Sequence, residues 1–164
     1  MKVKISYFYN IRHFQPNEVP LSTAKYDPKW YKNSWKHGVG WLDHNKVING
    51  LRISLFVPGS TCDGLCEGTK TGKCDPSQSQ VFDTSKCKFL KAYREQIFSL
   101  DFNRVFSKLE VLEETIQRNF SLKGEEITFV LMVHEKPDNA CSEREVLKEW
   151  FASNGVELEE WQRV

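Results

Sequence analysis

Residues 127–151 read ITFVLMVHEKPDNACSEREVLKEWF and contain, in order, the parts of an α/β unit. The run from Ile127 to Val133 is almost continuously apolar, which is typical of a strand buried on both faces of a parallel sheet. Polar residues 134–139 follow and predict a loop. Ser142 is a candidate N-cap, and the helix after it shows an apolar face of Val146, Leu147, Trp150 and Phe151. Such units place ligand sites outside the carboxyl ends of the strands.

The rest of the chain extends this pattern. Alternating and β-branched residues predict a first strand in MKVKISYFYN and a second in LRISLFV at 51–57. Apolar spacing predicts two helices, capped by Ser85 and Asp101, and a short last strand after Gly155. We therefore predict an α/β fold with a small, largely parallel, Rossmann-like sheet, flanking helices and a cysteine-rich loop.

The length of 164 residues suits one domain, residues 1–164. Within it, residues 10–50 have little periodicity and predict a long aromatic-rich loop, whose Trp30, Trp35 and Trp41 argue against disorder. Residues 58–87 form a cysteine-rich insert. No internal repeat interrupts this order.

Composition limits the partners. A formal net charge of +1 argues against a broad electrostatic grip on nucleic acid. No apolar run approaches the roughly 20 residues of a membrane helix, and the chain starts in a strand rather than a signal sequence. We expect a soluble, cytoplasmic protein with no membrane partner.

Four of the five cysteines are spaced C-x3-C-x7-C-x12-C among glycines. Thiolates gathered by a tightly turning backbone favour zinc or an iron–sulfur cluster, and four protein ligands would leave no open position for a catalytic water. We predict a structural zinc site, with an iron–sulfur cluster and four unrelated thiols as alternatives. The predicted ligands are Cys62, Cys66, Cys74 and Cys87.

The loop after residue 133 holds the candidate chemistry. Glu135 and Asp138 are candidate general acids or bases, because carboxylates in a partly dry cleft have raised pKa values. Ser142 and Arg144, at the start of a helix, are candidate contacts for an anion, and Glu143 is expected to point to solvent. Further candidate ligand-binding residues are His134 and Cys141 in this loop and Ser22, Thr23, Lys25 and Trp30 in the aromatic-rich segment. The alternatives are a solvated loop and core aromatic residues.

The same loop resembles the signature of the family called domain of unknown function 488, which reads roughly Tyr-Glu-Lys-Pro-Gly-x-x-Cys-His-Arg. Here Glu135, Lys136, Pro137 and Cys141 match, Ser142 stands where the family has His, and Arg144 lies one place later. ISYFYNI and PLSTAKYDPKWY resemble the opening of the family, and the cysteine-rich insert resembles its phage and prophage branch. The resemblance implies a Rossmann-like fold and no settled activity.

Three functions fit these observations. The first is an enzyme that acts on a nucleotide- or nucleoside-derived small molecule at a glycosidic or phosphate bond. The second is a non-catalytic, phage-like binder that sequesters such a molecule or docks on a host protein, as an anti-defence protein would. The third, nucleic-acid binding through the aromatic loop, is the weakest because the charge is balanced. The sequence does not decide between the first two.

Overall fold

The computed structural model describes residues 1–31, 40–63, 65, 87–122, 124–138 and 142–164. The strands are β1 (Lys2–Tyr7), β2 (Glu18–Ser22), β3 (Trp41–Leu42), β4 (Ile48–Asn49), β5 (Thr128–Val133) and β6 (Glu159–Glu160). The α-helices of the described residues are α1 (Lys88–Phe98), α2 (Phe102–Asn119) and α3 (Arg144–Ser153).

The central sheet has four strands in the order β2-β5-β1-β6, and each neighbouring pair is parallel. The strand predicted from residues 127–133 therefore lies inside the sheet, with β1 on one side and β2 on the other. Its position explains its continuous apolar sequence, because both of its faces are covered. The mixed α/β class, the largely parallel sheet and the flanking helices are confirmed.

One face of the sheet packs against the three helices. Phe129, Leu131 and Val133 of β5 point to this face and join a cluster with the apolar residues of α1, α2 and α3. The helices predicted from three- and four-residue spacing contribute Tyr93, Ile97, Val105, Leu109, Leu147, Trp150 and Phe151. Each fully buried side chain of this size stabilises the fold by roughly 1.5–3 kcal/mol relative to an exposed one.

The other face is covered by irregular segments of the chain. Val130 and Met132 point to it and pack with Phe8, Ile11, Phe14, Ala24, Tyr31, Val47 and Trp161. These residues come from the 3₁₀ turn Phe8–His13, from the segment after β2, from the β3–β4 hairpin and from the end of the chain. This arrangement places three helices on one side of the sheet and loop segments on the other.

The structure differs from the sequence-based expectation in several strands, and β3 and β4 also lie inside the segment 10–50 that is predicted as a loop. The segment predicted as a long loop contains β2, which pairs in register with β5, so that Leu21 lies opposite Leu131. The strand predicted at 51–57 is wrong: Arg52 makes one isolated parallel bridge to Ser22, and Ser54–Phe56 form a 3₁₀ turn. Pro20 hides the strand character of β2, and its place at the edge of the sheet explains why a proline is tolerated there.

The helix ends follow the predicted capping chemistry. Asp101 caps α2, because its carboxylate accepts a hydrogen bond from the Arg104 N–H at 3.2 Å. Gly155 follows α3 with a φ of +81°, the left-handed conformation that favours glycine. Ser85, the predicted cap of α1, lies outside the described residues. Among the helices that the structure describes, none is both long and apolar enough to span a bilayer.

Candidate functional site

The carboxyl ends of three strands meet at one edge of the sheet. Tyr7 at the end of β1 pairs with Val133 at the end of β5, and Ser22 at the end of β2 pairs with Met132. The residues that follow these strands are therefore neighbours, and the Phe8 and His134 rings lie 4.9 Å apart. This edge is where ligands bind in open parallel sheets. It brings together the described residues of the loop after β5, 134–138 and 142–144, and the segment 23–31.

A hydrogen-bonded turn fixes the end of the loop after β5. The Ser142 hydroxyl donates to Glu135 Oε2 at 3.2 Å and accepts from the Arg144 N–H at 3.1 Å. The Arg144 guanidinium group donates to the backbone oxygen of Glu135 at 2.8 Å. The N-cap of α3 is Glu143 rather than the predicted Ser142, but the Ser142 hydroxyl still accepts the first N–H of the helix and contacts the Glu135 carboxylate.

Arg144 lies inside the protein. Its side chain is 1% exposed, and its Nε lies 2.5 Å from Glu160 Oε1, which Lys148 Nζ also approaches at 3.0 Å. A buried guanidinium group is stable only with such partners. In this conformation Arg144 therefore positions Glu135 and α3, and the predicted contact between Arg144 and a ligand stays a prediction that requires the loop to move.

Glu143 is the residue that sequence reasoning misplaced. The expectation that it points to solvent is wrong, because its side chain is half-buried at the start of α3. Loss of water around the carboxyl group, and then the charge of Glu135, raises the pKa of Glu143 from 4.5 to about 7. A carboxyl group whose pKa lies near neutral pH can serve as a general acid or base, and the charge of Glu135 acts on this one.

Two residues from the helix face lie within electrostatic range of Glu143. Burial, and then the Glu143 carboxylate, raises the pKa of the Tyr93 hydroxyl, which donates to the Phe56 backbone oxygen at 2.6 Å. Burial also raises the pKa of the Cys62 thiol, and the charge of Glu143 adds to that shift. The Glu143 carboxyl group therefore borders the apolar core, and this burial is the main cause of its raised pKa.

Ser22 and Thr23 are buried, and their hydroxyl groups bond within the protein. Ser22 donates to the Asp27 carboxylate and accepts from the Ala24 N–H at 3.2 Å, while Thr23 donates to the Met132 backbone oxygen at 2.9 Å. Asp27 also forms an ion pair with Arg52 at 3.2 Å. These contacts tie the segment after β2 to the sheet. Whether either hydroxyl also contacts a ligand stays a prediction.

The remaining predicted residues of this edge reach water. Lys25 is exposed and pairs with Asp63, whose carboxylate raises the pKa of the Lys25 ammonium group. The Trp30 side chain is 47% exposed, and its ring makes an edge contact with Phe8. His134 is exposed and its Nε2 donates to the Tyr26 backbone oxygen at 2.6 Å. Asp138 is exposed on the loop after β5.

The cysteine loop is described only at its two ends. Cys62 is buried and donates weakly to Gln96 Oε1 at 3.8 Å, and Cys87 is half-buried at the start of α1. Both pack with the same apolar cluster. Within the described ranges no group of three potential ligands is present. Cys66 and Cys74 lie outside those ranges, so zinc stays a prediction. Cys141, in the loop after β5, also lies outside the described residues.

A sequence signal for Glu143 does exist. Glu143 precedes Val146, Leu147 and Trp150 by three, four and seven residues, which is the spacing of one helix face. This spacing places the Glu143 side chain on the apolar face of α3, which packs against the core. No comparable signal links Asp27 to Arg52, because their pairing depends on the path of the chain between them.

No family model, curated protein or solved structure matches the chain. The residues at the carboxyl edge therefore carry the functional argument by themselves.

Proposed function

We propose that the chain cleaves the N-glycosidic bond of a nucleoside-derived small molecule at the carboxyl edge of the sheet. The observation that supports this proposal is the pair formed by Glu135 and Glu143, with Ser142 holding the Glu135 carboxylate. Glycosidic cleavage commonly uses two carboxyl groups, one as general acid and the other as base or nucleophile. The edge of a parallel sheet is also a common place for nucleotide-like ligands.

In this proposal each carboxyl group has one role. Glu143 donates its proton to the departing base nitrogen as the bond to the anomeric carbon breaks. Glu135 accepts a proton from the water whose oxygen attacks that carbon. The exposed face of Trp30 offers a stacking surface for the base. Phosphate-bond cleavage is less well supported, because Arg144, the candidate phosphate contact at this edge, is buried against Glu160.

The test is base release from a mixture of nucleosides and nucleotides, followed by mass spectrometry. Glu143→Gln should lower the rate at least about 100-fold, the usual contribution of a general acid. The matched control is Glu145→Gln, two residues along the same helix and exposed, which should leave the rate unchanged. Because Glu143 must be protonated, kcat/KM should fall as the pH rises through about 7. Full activity of Glu143→Gln would refute the assignment.

The second candidate is a binder without chemistry, and the exposed aromatic groups favour it. Tyr26 is 70% exposed and Trp30 47% exposed, and the Tyr26 backbone is held by His134. Flat faces of this kind bind bases without altering them. The same incubation separates the candidates, because a binder releases its ligand intact on denaturation. The resemblance to the phage branch of domain of unknown function 488 would suit either a sequestering protein or one that docks on a host protein.

A further inference from the structure

A second pocket, which contains charged groups of both signs, lies apart from the carboxylate pair. It has a volume of about 380 Å³ and lies between the turn after β1, the start of β2, the β3–β4 hairpin and the end of the chain. That volume is within the range of small-molecule sites. Its charged side chains are Arg12, His13, Arg163 and Glu18, and Val164 with its carboxylate also lines it. It shares no lining residue with the carboxylate pair.

The Arg12 side chain is oriented by its neighbours in the fold. The Arg12 guanidinium lies 3.5 Å from the centre of the Tyr9 ring, and its Nε donates to His13 Nε2 at 3.1 Å. The Asn45 amide donates to the Arg12 backbone oxygen at 3.3 Å. A guanidinium group that is already oriented loses less conformational freedom when it binds a ligand.

The backbone at the end of the chain, which forms another wall of the pocket, is also held by contacts with the fold. The backbone N–H of Trp161 donates to the Ile5 backbone oxygen at 2.8 Å. The Trp161 ring packs on the Phe14 ring, with centroids 4.8 Å apart. Arg163 lies two residues after Trp161 and lines the same pocket as Arg12, with its side chain exposed. The Glu18 carboxylate accepts the Gln15 N–H at 3.0 Å, so part of its hydrogen-bonding capacity is already used.

We propose that this pocket binds the phosphate group of a phosphate monoester between Arg12, His13 and Arg163. Planar guanidinium groups match the oxygens of phosphate in pairs, whereas a carboxylate offers fewer acceptors. The positive charges also act on each other: partial loss of water, and then the charges of Arg163 and Arg12, lowers the pKa of His13. A bound anion offsets those charges, so binding should favour the protonated ring.

The test is titration calorimetry of the full chain with inorganic phosphate, methyl phosphate, sulfate and acetate at low ionic strength. Methyl phosphate should bind with a saturable isotherm. Arg163→Gln and Arg12→Gln should each weaken it by about tenfold or more, the effect of losing one charge-assisted bond. Arg104→Gln is the matched control, because it removes the same charge from an exposed position on α2, and it should change affinity less than about twofold.

Sulfate isolates the role of the imidazole, since sulfate keeps its charge from pH 5 to 8. Its binding should tighten as the pH falls, and His13→Gln should remove that dependence while leaving binding measurable. Tighter binding of inorganic phosphate than methyl phosphate would identify the free ion as the source. The proposal is overturned if binding does not saturate, if acetate binds as tightly as methyl phosphate, or if Arg104→Gln weakens binding as much as Arg163→Gln.

Discussion

The two faces of the sheet are built by different means. The helix face is a cluster of apolar side chains from α1, α2 and α3, and its backbone hydrogen bonds are formed inside the helices. The loop face is covered by irregular backbone, whose polar groups need separate partners. The Ser22–Asp27–Arg52 network and the Tyr31 hydroxyl supply them. The stability of the helix face therefore depends on how well its apolar side chains pack. The stability of the loop face depends on a few buried polar contacts.

The largest expected effect concerns the helix face. Cys62 and Cys87 flank the undescribed part of the cysteine loop and pack on this face, so a metal there would reinforce it. We expect about one zinc ion per chain by elemental analysis, and Cys74→Ser should strongly destabilise the fold because structural zinc contributes roughly 10–16 kcal/mol in small zinc-binding peptides. Cys141→Ser, outside the four predicted ligands, should leave the zinc content unchanged. Less than about a tenth of an equivalent of zinc in the unaltered protein would contradict the prediction.

The next effect tests the polar network of the loop face. Asp27→Ala leaves Arg52, whose side chain is 21% exposed, without its carboxylate, and should lower the free energy of unfolding by about 3 kcal/mol. Urea unfolding measures the loss. The control is Asp63→Ala, which breaks the exposed pair with Lys25 and should hardly move the unfolding midpoint. Equal effects of the two substitutions would remove the distinction between a buried and an exposed network.

Glu143 is a buried carboxyl group on the otherwise apolar helix side, and its contribution to the free energy of unfolding depends on pH. Because folding raises its pKa from 4.5 to about 7, the folded state holds this proton more tightly than the unfolded chain does. The stability it contributes is complete below pH 4.5 and is lost as the pH rises to about 7. Glu143→Gln should therefore raise the free energy of unfolding by roughly 2–3 kcal/mol at pH 8 and change it little at pH 4. The exposed Glu145→Gln, measured in the same way, should show no such dependence.

The smallest effect compares one tyrosine from each face. The Tyr31 hydroxyl lies 3.0 Å from the Pro20 oxygen and 2.5 Å from the Leu51 oxygen, whereas the Tyr93 hydroxyl meets only the Phe56 oxygen among the described residues. Tyr31→Phe should cost about 2 kcal/mol and Tyr93→Phe about 1 kcal/mol, because a buried acceptor that loses its donor is penalised. The reverse order in denaturant unfolding would show that polar contacts matter no more on the loop face than on the helix face.

The same contrast explains what the sequence could predict. The helices and β5 follow from apolar spacing and capping residues such as Asp101, because local periodicity and burial agree there. β2 could not be predicted, since Pro20 breaks the strand signal and the pairing partner lies more than 100 residues away. At the site, Glu135 and Ser142 were found from the loop that follows a buried strand. The position of Glu143 on the apolar face of α3 could have been read from its spacing, but its raised pKa could not, because the burial and the Glu135 charge that cause it arise only in the folded chain.

The outer edge of β2 has a consequence for self-association. Pro20 has no N–H, and its backbone oxygen accepts from Tyr31. The Ser22 N–H donates to the Leu51 oxygen, and the Ser22 oxygen accepts from the Ile53 N–H. At the opposite edge, β6 is only two residues long. A strand from another molecule would find few free hydrogen-bonding groups at either edge, so the sheet is a poor template for the strand-by-strand growth that produces amyloid-like fibrils.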